Sequence, residues 1–241
     1  MNEQQIRVDL AATFRMLVRM DMHESVANHL SAAVSEDGKM FVMNPKWMHF
    51  GQVRASSLQL LNSEDSSIMQ TPQAPDQSAW AIHGQIHKHD PNARVILHLH
   101  PTYATALSAL KDPTILPIDN NTARFYKRVA YDLDFDGIAV SEKEGARISG
   151  MFKGKSVLMM GNHGVSVIGE TVAQAFETMY YLEKACKTMV LAYSTGQKLN
   201  VLEGELAEQT AASWEAFLGM SETHFEYLKS RLDVSEPDYR D

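Results

Sequence analysis

Apolar residues recur at helical spacing over positions 6–22, where Ile6, Leu10, Phe14, Leu17 and Val18 are interspersed with Arg7, Arg15 and Arg19. That texture predicts an amphipathic helix. Over 29–42 the period shortens. Leu30, Ala32 and Val34 alternate with short polar residues, 35–38 carries turn chemistry and 40–43 is apolar, which together predict a hairpin. Asn44-Pro45 ends it, 55–61 reads as a short helix and a strand, and the polar, proline-bearing stretch 66–77 reads as an exposed loop. Helical spacing returns at 78–89 and stops at Asp90-Pro91, before a short buried strand at 94–98 and a helix at 103–111. After a proline-containing loop at 112–121, a helix is expected at 145–152 and strands at 156–160 and 165–168, joined by the turn 161–164. A long helix over 171–195 has Thr171 as its N-cap and Gly196 just past its end.

No repeat, low-complexity tract or disordered linker interrupts this series, so the 241 residues are read as one α/β domain, 1–241. A helical tail is expected at about 205–232, acidic and with Trp214 and Phe217 as docking residues. Composition narrows the function classes. A net charge of -8 disfavours a nucleic-acid partner held by phosphate neutralisation. A single cysteine, Cys186, fits a reducing compartment. The polar N-terminus has no secretory apolar core, and no apolar run is long enough to span a membrane, so a cytoplasmic location is expected.

The histidines carry the candidate chemistry. His98 and His100 stand at i and i+2 at the end of a strand-like run, and such residues project to the same side. Two imidazoles together make two corners of a zinc-type site, which one more donor would complete with a position left open. His163 lies in a tight Gly161-Asn162-His163-Gly164 turn that lets it approach a site closely. Spacing alone does not bring it to the other two, and a His-x-His pair also occurs as hydrogen-bonded core or rim residues.

The stretch His83-Gly84-Gln85-Ile86-His87, continuing through Arg94-Val95-Ile96-Leu97-His98-Leu99-His100-Pro101 into an alanine-rich helix, resembles the central motif of the class II aldolase/adducin family. Gly161-Asn162-His163-Gly164 with Val165-Ser166-Val167 resembles its second motif. Phe41-Val42-Met43-Asn44-Pro45 with Ala55-Ser56-Ser57-Leu58 is similar to its adducin-like branch. The resemblance spans roughly residues 8 to 200, with the motifs in order. It implies a three-layer α/β/α fold with a central, mainly antiparallel sheet. It also implies a divalent metal on His98, His100 and His163, a small-molecule substrate and a homo-oligomer, tetramer or dimer. Imidazole ligands suit Zn2+ first, with Mn2+, Fe2+, Co2+ or Ni2+ compatible.

Departures from the pattern limit the activity it implies. Family aldolases carry a glutamate beside the metal for proton transfer, and the matching residue is Ala79. An alanine holds no proton, so His83, one helical turn away, is the candidate replacement catalytic group, with packing as its other reading. Asp76 and Gln77 are further candidates in the preceding loop. The family's phosphate-binding turn is replaced by Asn44-Pro45-Lys46, where Pro45 has no N–H to donate. Asn28, Asn44, Lys46 and Tyr103 are candidate substrate-binding residues, with turn, solvent or packing roles as alternatives. Asn120 occupies the place of a tyrosine that family aldolases lend to a neighbouring subunit, and the segment 124–128 reads as a subunit-boundary group or a surface strand. Two functions are expected: a metal-dependent carbon–carbon lyase, aldolase-like or decarboxylase-like, on a small hydroxy or keto acid or sugar-derived compound; or a non-catalytic adducin-like binding domain that retains the metal site.

Overall fold

The computed structural model describes residues 2–134 and 137–241. Helix α1 (Glu3–Arg19) starts where the Asn2 side chain accepts the Gln5 N–H, satisfying one of the free donors at a helix start. Strands β1 (His29–Ala33) and β2 (Met40–Met43) form the expected antiparallel hairpin, and β3 (Gln59–Asn62) follows two short 3-10 turns. The helical stretch 77–89 is not uniform. Helix α2 (Gln77–Ala79) opens into a π turn at Trp80–Gly84 before α3 (Gln85–His89). Strand β4 (Val95–Leu99) leads to α4 (Thr102–Ser108), and a short α5 (Asn120–Ala123) leads to β5 (Val129–Asp132). Then come α6 (Glu142–Met151), β6 (Val157–Met160), β7 (Gly164–Gly169) and the long α7 (Val172–Ser194).

Among the described residues, seven strands form one sheet in the order β3-β2-β1-β4-β7-β6-β5. Every neighbouring pair is antiparallel except β5 and β6. Strand alternation divides the core in two. Val95, Leu97 and Leu99 of β4, with Val165 and Val167 of β7, pack into the larger cluster with Leu10, Phe14 and Leu17 of α1 and Phe176 and Met179 of α7. Ile96 turns the other way, toward Ile82, Ile86, Ile148 and Phe152. His98 shares the parity of Ile96 and therefore belongs to the thinner side.

Two expectations need correction. Residues 124–128 are not a strand; they form turns, and the strand begins at Val129. The cationic run ends where apolar side chains can pair with β6. Phe217 does not dock, being 60% exposed, whereas Trp214 donates its Nε1–H to the Asn120 carbonyl. The tail is nevertheless part of the body. Helices α8 (Gly204–Glu215) and α9 (Met220–Ser235) bury Ala207, Phe225 and Leu232, and Lys229 bonds Asp9 of α1 at 2.8 Å. Arg15 holds both Glu236 and Asp238. Among the described residues, no helix is long and apolar enough to cross a membrane.

Gly145 lets α6 lie directly on the π turn. A Cβ there would stand 1.7 Å from the Ala81 carbonyl oxygen and 3.0 Å from Gln85 Cγ. The obstacle is backbone, so it cannot rotate away, and overpacking of this kind costs about 1–3 kcal/mol. Gly145→Ala is therefore expected to lower the urea unfolding free energy by about 2 kcal/mol or more, against little change for Gly150→Ala, where a Cβ meets nothing within 4 Å.

Candidate metal centre

Strand register places the key side chains in a row across the sheet. His29 of β1 pairs with His98 of β4, and His98 pairs with Ser166 of β7. Residues directly opposite on neighbouring strands share a face. The His29 and His98 rings stack at 4.9 Å between centroids, and His98 Nδ1 lies 2.9 Å from Ser166 Oγ. His100, two residues along, emerges on the same side just past the strand end. Its Nδ1 lies 2.7 Å from a Glu24 carboxylate oxygen.

His163 arrives from the turn between β6 and β7. Its ring centroid is 4.9 Å from that of His98 and 4.7 Å from that of His100. The approach is tight: a Cβ on Gly164 would stand 2.5 Å from His100 Cδ2 and 2.7 Å from the Leu99 carbonyl oxygen. Glycine is thus required there, and Asn162 takes the left-handed conformation, φ 54°, that the turn needs. Behind the pair, the Glu183 carboxylate of α7 accepts the N–H groups of Tyr103 and Ala104 at 2.9 and 2.8 Å. This anchors the start of α4, and with it the His98–Pro101 segment.

The ligand atoms of His98, His100 and His163 all lie within 4.8 Å of one another. The donor chemistry fits a cation. A carboxylate at Glu24 accepts, so a neutral His100 that donates its Nδ1–H there has a lone pair on Nε2. Ser166 Oγ donates to the Met160 sulfur at 3.6 Å and so can accept from His98 Nδ1–H, which leaves His98 Nε2 bare as well. These two Nε2 atoms stand 3.1 Å apart. Two imidazole nitrogens on one tetrahedral cation, at about 2.05 Å each, would stand about 3.3 Å apart. Partners that orient the outer ring nitrogen in this way are usual for metal-binding histidines. Burial holds His98 neutral, well below its ordinary range, with the neighbouring imidazoles adding to it. Burial also pushes His163 down to about 4, with His100 assisting and Glu24 opposing.

These histidines floor a cavity of about 450 Å³, lined also by His29, Lys46, Asp76 and Gln77. Its rim is apolar and exposed, with Trp47 at 71% and Ile138 at 73%. Lys46 lies over the Trp47 ring at 4.5 Å and borders the cavity. Asp76 keeps its carboxylate charged: burial opposes ionisation, but the Ser78 hydroxyl and the Ser78 and Ala79 N–H groups outweigh it.

Other sequence candidates sit elsewhere. Asn28 Oδ1 accepts the Glu24 N–H, and Asn44 Oδ1 accepts the Leu30 N–H, so both brace the start of β1. Tyr103 lies under Lys187 and is absent from the cavity lining. His83 is fully buried behind His29, with Nε2 2.8 Å from His29 Nδ1 and Nδ1 2.6 Å from Ser31 Oγ. It is absent from the cavity lining. Ala79 is buried with Phe41, Met43, Leu61 and Trp80. The residue that sequence reading missed is His29. Its only signal was parity, since it alternates with Leu30 and Ala32, and parity does not reveal which strand pairs beside it.

Residues 8–190 match the family described as Class II Aldolase and Adducin N-terminal domain. A Caulobacter vibrioides protein of the class 2 aldolase type is 34% identical over 218 residues, covering 90% of this chain and 84% of that one. The decarboxylase NovR of Streptomyces niveus is 24% identical, over 83% and 74% of the two chains. An aldolase II superfamily protein from Pseudomonas syringae superimposes with a TM-score of 0.89 at 29% identity, over 100% and 96%. An L-fuculose 1-phosphate aldolase from Glaciozyma antarctica shares the fold, with a TM-score of 0.83 at 22% identity over 99% and 93%. With its seven-stranded mixed sheet and its histidine cluster, this chain belongs to the class II aldolase and adducin N-terminal domain family.

Proposed function

We propose that this protein is a metal-dependent carbon–carbon lyase, aldolase-like or decarboxylase-like, acting on a small hydroxy or keto acid or a sugar-derived compound. The observation that carries the reading is the convergence of three imidazoles at the floor of a cavity, two of them with the outer ring nitrogen held by an oriented partner. His98, His100 and His163 would hold the ion, Zn2+ by preference for neutral imidazoles. When bound, the cation supplies Lewis-acid polarisation of a substrate oxygen. Lys46 supplies a positive charge at the cavity edge for a substrate carboxylate. The apolar rim of Trp47 and Ile138 suits the non-reacting part of such a substrate.

Ala79 bears on the reaction type. A decarboxylation starts with departure of carbon dioxide and needs no protein base for that step, whereas aldol chemistry needs a proton moved at the start. The resemblance to a named decarboxylase supports the same leaning. The alternative, a non-catalytic adducin-like domain, draws on Ala79 and on the likeness to adducins, and gives no reason for three converging imidazoles. The proposal includes a homo-oligomer, dimer or tetramer, supported by exposed apolar residues such as Leu218, 93% exposed. Light scattering on the purified protein is expected to give a mass at least twice that of the chain.

Elemental analysis of purified protein is expected to find about one divalent ion per chain, and far less in folded His98→Ala or His163→Ala. A metal-free wild type would end the lyase reading. The pH dependence has a defined sign. Protons compete with the ion for neutral imidazoles, and burial lowers the affinity of His98 and His163 for protons. Ion retention is therefore expected to hold from pH 7 to 5 and to be lost as pH falls through about 4, the range given by His163. In a screen of small hydroxy and keto acids, Lys46→Ala is expected to raise KM by about tenfold, from the loss of one charge-assisted contact, with a smaller change in kcat.

A further inference from the structure

Behind the cavity runs a buried hydrogen-bonded chain that the metal site does not explain. His29 Nδ1 meets His83 Nε2 at 2.8 Å, His83 Nδ1 meets Ser31 Oγ at 2.6 Å, and Ser31 Oγ meets His87 Nε2 at 2.8 Å. All four residues are buried. His87 Nδ1, at the far end, is buried with no hydrogen-bond partner, and the ring stacks on Phe41 at 4.3 Å.

The hydrogen count in this chain admits three arrangements. A neutral imidazole carries one N–H and a serine one O–H, and each of the three links needs one hydrogen. In the first arrangement His87 Nε2–H donates to Ser31, Ser31 donates to His83 Nδ1, and His83 Nε2–H donates to His29 Nδ1. His29 then carries its hydrogen on Nε2. The second reverses every link, strands an N–H on His87 Nδ1 and leaves His29 Nε2 bare. In the third, Ser31 accepts from both His83 and His87, which strands the Ser31 O–H and again leaves His29 Nε2 bare. The first leaves at its closed end a bare lone pair, the other two a buried hydrogen without an acceptor. A buried N–H without an acceptor is the rarer and costlier fault than an unused lone pair. The open end favours the same arrangement, because the Asp76 carboxylate borders the cavity and its negative charge acts on His29.

We propose that Ser31, His83 and His87 fix His29 as the Nε2–H tautomer, so that His29 presents a neutral N–H donor to an acceptor oxygen of the substrate, a carboxylate or polarised carbonyl, beside the metal site. His29 lines the cavity and stacks on His98, and with Nδ1 committed to His83 its Nε2 is the polar atom left for a cavity occupant. Burial keeps His29, His83 and His87 neutral, His87 down to about 3, so no link is filled by a second ring hydrogen. His29 thus touches substrate, and the three residues behind it are positioning residues. The assignment rests on the lyase reading for the identity of the oxygen, but the tautomer itself does not depend on a bound ion. It also selects substrates, since a fixed donor rejects an ammonium or any group that can only donate.

The test is a two-bond 15N–1H correlation spectrum of the full chain labelled at histidine, at neutral pH, with and without one equivalent of Zn2+. His29 is assigned by its loss in His29→Gln. The expected pattern is the Nε2–H tautomer at His29, His83 and His87, and the Nδ1–H tautomer at His29 would overturn the proposal. A second arm measures glycolate binding to the zinc-loaded protein. His29→Asn places an amide at the Nδ1 position but no donor in the cavity, and is expected to weaken glycolate about tenfold or more, the value of one hydrogen bond to a charged group. His29→Gln, whose amide reaches the ε position, is expected to stay within about threefold of wild type. Equal binding by His29→Asn and wild type would remove the donor role. If the protein holds no zinc, the lyase reading fails, and the metal-free spectrum still decides the tautomer.

Discussion

The pairing of β4 with β1 on one side and β7 on the other is the constraint on which the site depends. It sets His29, His98 and Ser166 in one row. A slip of one residue in either ladder would turn a whole strand over, exchanging the polar row for the apolar one. The register is held by what lies on the opposite face, where Leu30, Leu97 and Val165 enter the larger core. The thick hydrophobic side thereby secures the geometry of the polar side. Neither α1 nor α7 contributes a candidate metal ligand, yet both fix where the ligands stand, α7 through the Glu183 carboxylate at the start of α4.

The polar face carries an energetic burden that packing alone does not call for. His29, Ser31, His83 and His87 are all withdrawn from water beside Phe41 and the apolar cluster of the thin layer. Apolar residues of the same volume would fill that space without a desolvation cost. The histidines are tolerated because they satisfy one another, and one nitrogen at the end of the chain remains unsatisfied. Buried polar networks of this kind impose a single arrangement on their members. The π turn contributes to that arrangement, since it lies between α2 and α3 where His83 must reach β1 while Gly145 seats α6 against Ala81.

How much of this was legible in the sequence follows from the range of each interaction. His98 and His100 could be paired from their spacing, because i and i+2 in a strand share a side whatever the strand's neighbours are. His163 could be singled out by its glycines, but its meeting with the other two needed the family resemblance. His29 was beyond reach of either argument. Its significance arises from pairing with a residue 69 positions away, and nothing local specifies that ladder. Helical spacing set His83 one turn from Ala79 but did not reveal that it lies in the π turn and meets His29 and Ser31 of β1. Strand β5 was hidden behind a cationic run, and it is short enough that only its parallel partner β6 defines it.

Ala79 stands where the resemblance to family aldolases implies a glutamate, which bears on the charge of the site as well as on its proton chemistry. Three neutral imidazoles add no charge to a bound divalent ion, and Glu24 is engaged at the outer nitrogen of His100. Asp76 is the carboxylate that borders the cavity among the described residues; Ser78 and Ala79 hold its Oδ1, and its negative charge is opposite in sign to that of Lys46. Ala79, buried with Phe41, Met43, Leu61 and Trp80 and absent from the cavity lining, adds no charge, whereas Lys46 adds a positive one at the cavity edge. With a divalent ion bound, as proposed, Lys46 and the ion would together outweigh Asp76, and a low-dielectric cavity with a net positive field concentrates anions and favours developing negative charge over neutral ground states. A neutral donor at His29 would extend that field to a second substrate oxygen without placing another cation beside the metal. Under the proposed lyase function, such a field would favour a substrate that brings its own carboxylate, and a reaction in which that carboxylate is lost or its neighbouring carbon becomes electron-rich.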